Sequence, residues 1–251
     1  MLRSWVAVVL SLLLVAPAWS EPAGEQTAGS VKALIPAASR NTQPLAVNDS
    51  LQWNDLLQTN PKGRLRAGLT DGSILSLGSN SQLRVVQHDA TAQQTQLELN
   101  YGKLRNQVVK ITQPGGKYEV KTPNAVIGVI GTDFYVAYAN GRTTVICYEG
   151  TLSVTPGPGA RVVDSNNSSN GSTSSITVAA GQVVVIGLEP SATALQPFPL
   201  LAKTSINDTN VSERGKPHHA RTITLVSMGV IAGLAVALTQ INSSSKPCGC
   251  K

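Results

Sequence analysis

Between Val31 and Ile186, apolar residues recur at every second position in short runs, and each run is closed by Gly, Pro, Asn or Asp. Two is the strand period, because successive side chains of an extended chain point to opposite sides. Leu65, Ala67 and Leu69 alternate with Arg64, Arg66 and Gly68, and Asp71-Gly72 then supplies a turn. The same spacing runs through Leu75 and Leu77, Leu83 and Val85, Leu97 and Leu99, Tyr118 and Val120, Phe134, Val136 and Tyr138, Leu152 and Val154, and Val183 and Val185. Strands spaced by about 8 to 12 residues fit a sandwich, a barrel or stacked solenoid-like layers. Aromatic residues are 4% of the chain. The core must therefore be mainly Val, Leu, Ile and Ala, which favours layered stacking. The expected fold is all-β, an elongated solenoid-like or sandwich domain, followed by one C-terminal hydrophobic helix.

The ends of the chain set its compartment. Arg3 precedes an apolar stretch from Val6 to Val15, and Ala18-Trp19-Ser20 ends in small residues, so residues 1–20 read as a signal peptide cleaved before Glu21. Residues 21–44 then form a lead-in, 45–188 the β domain, and 189–221 a polar linker in which Pro197, Pro199 and Pro217 favour extended chain. Within the domain, Pro156-Gly157-Pro158-Gly159 and the Ser- and Asn-rich Asp164–Ser175 predict a long loop. Residues 222–241 carry no charge and are long enough to cross a bilayer. They read as a transmembrane helix, with 242–251 as a tail. Gly229, Gly233 and Ala237 would share one face of it and let a second helix approach, which makes a homodimer an expectation.

The formal net charge of +6 is not spread over the domain. Residues 21–202 hold 13 Lys or Arg against 12 Asp or Glu, and the excess lies in Arg3 and from Lys203 to Lys251, beside the apolar segments. That distribution fits membrane flanks and argues against nucleic acid. Cys147 sits in an apolar run and reads as a buried thiol, whereas Cys248 and Cys250 lie in the tail. His88, His218 and His219 are the only histidines, too few at workable spacing for a metal site. His88 lies in a polar stretch and reads as a solvated loop residue; Asp71 and Asp133 adjoin turns. No nucleophile–base pair is spelled out, so neither an enzyme nor a cofactor is expected.

Thr122-Pro123-Asn124-Ala125-Val126-Ile127-Gly128-Val129-Ile130-Gly131-Thr132-Asp133-Phe134-Tyr135-Val136 resembles the T-P-x-A-x-x-x-V-x-G-T-x-F-x-V core of the FecR family. Leu69-Thr70-Asp71-Gly72-Ser73, Tyr101-Gly102-Lys103-Leu104, Glu149-Gly150 and Ala180-Gly181-Gln182 follow the family's order, so the resemblance covers roughly residues 45–186. Fold-forming roles suit these residue types. Pro123 marks a strand entrance, Gly72, Gly131, Gly150 and Gly181 supply turns, and the Thr132 hydroxyl is placed to satisfy a turn amide.

The resemblance implies a periplasmic sensory domain that receives a signal from an outer-membrane transporter and passes it to a sigma factor. This chain departs from that scheme, because only a signal peptide precedes the domain and Ile130 stands where the family commonly has Arg. The expected function is a non-catalytic sensory or protein-interaction module of the bacterial cell envelope. It is anchored by its C-terminal helix, and its partner is a receptor or membrane regulator met through edge strands. The alternative is an envelope scaffold or glycan-binding protein.

Overall fold

The structure, a computed structural model, describes residues 26–167, 169–188 and 196–211. The signal sequence, His218, His219, the 222–241 segment with Gly229, Gly233 and Ala237, and Cys248 and Cys250 lie outside them. The described residues open with β1 (Thr27–Ile35), β2 (Ala38–Arg40), β3 (Gln43–Pro44), β4 (Ser50–Gln52) and β5 (Leu56–Thr59). Next come β6 (Arg64–Leu69), β7 (Ile74–Leu77), β8 (Ser81–Asp89), the long β9 (Gln94–Gln107), β10 (Lys117–Thr122), β11 (Ala125–Val129) and β12 (Asp133–Ala139). The chain closes with β13 (Arg142–Glu149), β14 (Thr151–Pro156), β15 (Arg161–Ser165), β16 (Ile176–Ala179), β17 (Val183–Gly187) and the helix α1 (Phe198–Thr209). The domain is mostly β, as its periodicity requires.

The strands form one hydrogen-bonded network that does not close on itself. β9 folds it in two. Its first residues pair with β8 and, in parallel, with β10; residues 102–107 pair instead with β7 and β12. The bend falls at Gly102, where φ is +97° and a Cβ would lie 2.2 Å from Ser81 Oγ. Only glycine accepts that conformation and that approach. One half runs β4-β1-β6-β7-β9-β12-β13-β17-β15. The other runs β3-β2-β5-β8-β9-β10-β11-β14-β16.

Alternate side chains of both halves meet in one core. Leu65, Leu104, Phe134 and Val145 from the first half join Leu83, Leu97, Ile127 and Val154 from the second, all buried. Each such side chain contributes about 1.5 to 3 kcal/mol relative to exposure. β14 shows the driving pattern in its simplest form, with Leu152, Val154 and Pro156 buried and Thr151, Ser153 and Thr155 exposed.

Three boundaries differ from expectation. Residues 21–44 are not a lead-in from Thr27 onward: β1 pairs with β4 and β6, and Val31 is fully buried, so the strand completes the core. The expected loop Asp164–Ser175 begins inside β15, which pairs with β17 because Val162 points inward. The chain then turns over Asn166, whose side chain accepts from Val183 N at 2.8 Å and donates to Gly181 O at 3.1 Å. The linker contains α1, whose Phe198 and Leu201 pack on Tyr135, Ile146 and Val183. Pro199 is tolerated there because the first turn of a helix needs no amide donor.

Candidate functional site

Five connections stack side by side along one margin of the domain: Thr70–Ser73, Val108–Lys110, Ile130–Thr132, Glu149–Gly150 and Ala180–Gln182. Backbone bonds tie them together, with Val108 N donating to Thr132 O at 2.9 Å, Ala180 N to Gly150 O at 3.1 Å and Gly181 N to Cys147 O at 3.0 Å. Val109 N donates to Ser73 Oγ at 3.2 Å, and Ser73 donates through its amide and hydroxyl to Asp71 at 2.8 and 3.0 Å. Gly131 is needed here, since its φ is +81° and a Cβ would lie 2.7 Å from Lys110 Cα. Thr132 does not act as expected. Its backbone carbonyl accepts the amide of Val108, while its hydroxyl is buried without a partner. At the outer side of the stack, Ile130 is 69% exposed.

Beneath this margin lies a buried polar cluster around His88, which is an inward-facing residue of β8 with 2% exposure and not a loop residue. Nδ1 and Nε2 each lie 2.9 Å from a hydroxyl, of Thr95 and Thr70, and Asp71 Oδ1 is 4.0 Å from Nε2. Burial lowers the imidazole pKa, and the charges of Asp71 and Asp89 offset this only in part. Tyr118 OH donates to Asn106 Oδ1 at 3.0 Å, and burial pushes its phenol up. Ser73, His88 and Asp71 are thus neighbours, but they are not wired as a nucleophile and its base: Ser73 donates directly to Asp71, and His88 bonds two threonines. Both Ser73 and His88 are shut off from solvent. Cys147 is likewise buried, and burial pushes its thiol up to about 12. Among the described residues no group of three or more His, Cys, Asp or Glu side chains is placed to hold a metal ion.

The outward face of the first sheet half carries the most specific arrangement. Lys103, Arg105 and Gln107 alternate along β9 and share this face. Arg105 makes a two-point contact with Asp133, Nε to Oδ1 at 2.9 Å and Nη2 to Oδ2 at 2.6 Å, and Gln107 adds a third donor at 3.2 Å. Burial opposes the Arg105 charge, but the bond to Asp133 and its carboxylate outweigh burial and hold the pKa above its ordinary value. The guanidinium lies over the Tyr148 ring, 5.2 Å from its centroid. The Tyr148 hydroxyl meets Ser205 Oγ of α1 at 2.5 Å, and Lys103 Nζ donates to Asp208 of α1 at 2.7 Å. Burial pushes the Tyr148 phenol up to about 12. Elsewhere, an open groove of about 860 Å³ lined by Leu34, Pro36, Leu45, Pro61 and Tyr101 offers no titratable group beyond the Tyr101 phenol.

Residues 55–153 match the family model described as FecR protein. That segment is similar to the FecR family. Two crystal structures from Parabacteroides distasonis ATCC 8503, each described as a candidate anti-sigma factor, are similar to the chain. The first shares 17% identity over 53% of this chain and 55% of its own, with a TM-score of 0.42. The second shares 16% over 59% and 64%, with a TM-score of 0.45. The chain therefore spans less than two thirds of the length of either. No curated protein matches it.

Within and beside the matched residues 55–153, the motif residues fall into four places. Asp71, Gly72, Ser73, Gly131, Thr132, Glu149, Gly150 and Gly181 meet in the stacked turns. Val129, Phe134 and Val136 point into the core, and Gly102 forms the bend of β9. Thr122 and Pro123 lie apart from these. Pro123-Asn124 is the two-residue turn between β10 and β11, not a strand entrance. Thr122 Oγ1 meets Thr143 Oγ1 at 2.7 Å, and Asn124 Nδ2 donates to Gly141 O at 2.9 Å. Period-two reasoning missed Arg105, Tyr135, Ile146, Tyr148 and Val183 as a surface. The available signal was three uninterrupted apolar runs, Phe134-Tyr135-Val136, Val145-Ile146-Cys147 and Val183-Val184-Val185-Ile186, because strands covered on both sides lose their alternation.

Proposed function

We propose that this chain is an exported, membrane-anchored, non-catalytic module of the cell envelope that senses or relays a signal by binding another envelope protein. The FecR-like segment at residues 55–153 carries the reading, since the family resemblance implies regulatory rather than catalytic work. The wiring of the polar groups supports it: Asp71, His88, Asp133 and Arg105 are all spent on structural partners, and none is left as an accessible acid, base or nucleophile. The signal-like residues 1–20 and the uncharged run 222–241 support export and anchoring. Among the described residues no helix is long and apolar enough to cross a membrane, so the anchor rests on that run alone. Trp53 does not favour a glycan surface. Its ring packs partly buried on the core, and its Nε1 donates to His88 O at 2.7 Å.

Capture of the tagged full-length protein from cross-linked, fractionated envelopes, followed by mass spectrometry, tests the reading. A transporter or membrane regulator in the membrane fraction is the expected companion. Wall fragments alone, or a protein that fractionates as wholly soluble, would contradict it.

A further inference from the structure

A polar cleft of about 390 Å³ opens where the β2–β3 turn meets the end of β4 and the Trp53–Asn54 turn, and Arg40, Asn41, Gln52, Trp53, Asn54 and Asp55 line it. That volume lies at the small end of the roughly 300 to 1,000 Å³ usual for ligand sites. Its scaffold is held by hydrogen bonds. The buried Asp55 carboxylate accepts from Asn41 Nδ2 and from Gln52 N, each at 2.7 Å, while Asn41 Oδ1 accepts from Leu56 N at 2.8 Å. Arg40 Nη1 donates to Ser50 O and lies 3.9 Å from Asp55. Trp53 is fixed by the bond from Nε1 to His88 O and walls the cleft. Thr42, next to Asn41 in the turn, holds φ at +74°, a left-handed conformation that is costly for a β-branched residue. Strain of this kind collects at binding sites.

The lining sets what fits. Arg40 and Asp55 offset one another 3.9 Å apart, so the cleft selects neither charge. Gln52 Oε1 is buried without a donor, a costly state for an acceptor. Asn54 is exposed, and its amide both donates and accepts. The remaining N–H groups of Arg40 add donors, and the Asp55 oxygens keep lone pairs. Donors and acceptors thus share the cleft with an apolar indole. A charged solute would lose its hydration there without a counter-charge, and a hydrocarbon would leave the amides unpaired. A neutral pyranose answers both demands, since each ring hydroxyl donates and accepts and the C–H face of the ring is apolar. We propose that this cleft binds one neutral pyranose ring, as a free monosaccharide or as the terminal sugar of an oligosaccharide. Trp53 is partly buried on the core and offers no open platform, which limits the ligand to a single ring. The inference goes beyond the proposed protein partner: it gives the module a small-molecule signal, and it stands whether or not that partner is captured.

Trp53 is the only tryptophan outside residues 1–20, so its fluorescence reports on the cleft. The full-length protein, in micelles of a detergent without a sugar headgroup, is titrated with glucose, galactose, mannose and N-acetylglucosamine, and with the uronates of the first three. A saturable change is expected with at least one neutral sugar, and binding about tenfold weaker with its uronate, whose charge the cleft leaves uncompensated. Gln52→Ala should weaken binding about tenfold. So should Asn54→Gly, which removes the amide at a φ of +64° that glycine accepts. Tyr101→Ala, in the apolar groove, should leave binding unchanged. Should Gln52→Ala fail to fold, the Asn54→Gly variant decides. Absence of a saturable signal with every neutral sugar, checked by saturation-transfer NMR, would overturn the proposal, as would binding that neither cleft variant weakens. A monosaccharide that binds more tightly than oligosaccharides ending in it supports a free solute as the ligand; the reverse order supports the end of an envelope glycan.

Discussion

The imidazole of His88 is closed off from solvent between two threonine hydroxyls, and burial holds its pKa below the ordinary 6.5. The unfolded chain takes up a proton near that ordinary value, which the folded chain refuses until lower pH. The folded state therefore keeps its full stability above pH 6.5 and loses it as pH falls from there toward the depressed value. Thermal unfolding between about pH 7.5 and 5.5 should show this loss, and a His88→Gln variant should show less of it. Equal losses in the two proteins would remove His88 as the cause. Gly102 gives a second prediction at this scale. Gly102→Ala places a methyl within 2.2 Å of Ser81 Oγ at positive φ, and urea denaturation should register a cost of about 3 kcal/mol. The conformational role of such a glycine is legible in sequence, because the residue type names it. The burial of His88 is not, since Thr70 and Asp71 reach it only through the pairing of distant strands.

At the scale of elements, the Arg105–Asp133 pair joins β9 to β12 and supports Tyr148. Asp133→Asn leaves a largely buried guanidinium with a neutral acceptor and should cost about 2 kcal/mol in chemical denaturation. Exchange in α1 should also rise, because Tyr148 loses its backing. An unchanged midpoint with α1 protection intact would show that the pair is ornamental. The strands themselves were readable from alternation, as β14 shows. α1 was not, because Pro197 and Pro199 suggest extended chain and the helix draws its stability from a floor located some fifty to sixty residues earlier for Tyr135 and Ile146. The continuous apolar runs in β12, β13 and β17 were the sign that something had to cover that side.

For the whole molecule, a near-neutral domain lies between a signal-like leader and an uncharged run flanked by basic residues. On the domain's own surface, α1 covers the apolar patch of Tyr135, Ile146 and Val183. The proposed function has the protein act by binding another envelope protein, and one measurement reads that partner directly. A photoreactive phenylalanine at position 148 nearly conserves the shape of Tyr148 and lies beside α1 on the outward face of the sheet. Irradiation of intact cells is expected to give a covalent adduct with a second protein of the envelope. Adducts confined to α1 of the same chain, or formed only with wall glycan, would contradict the account.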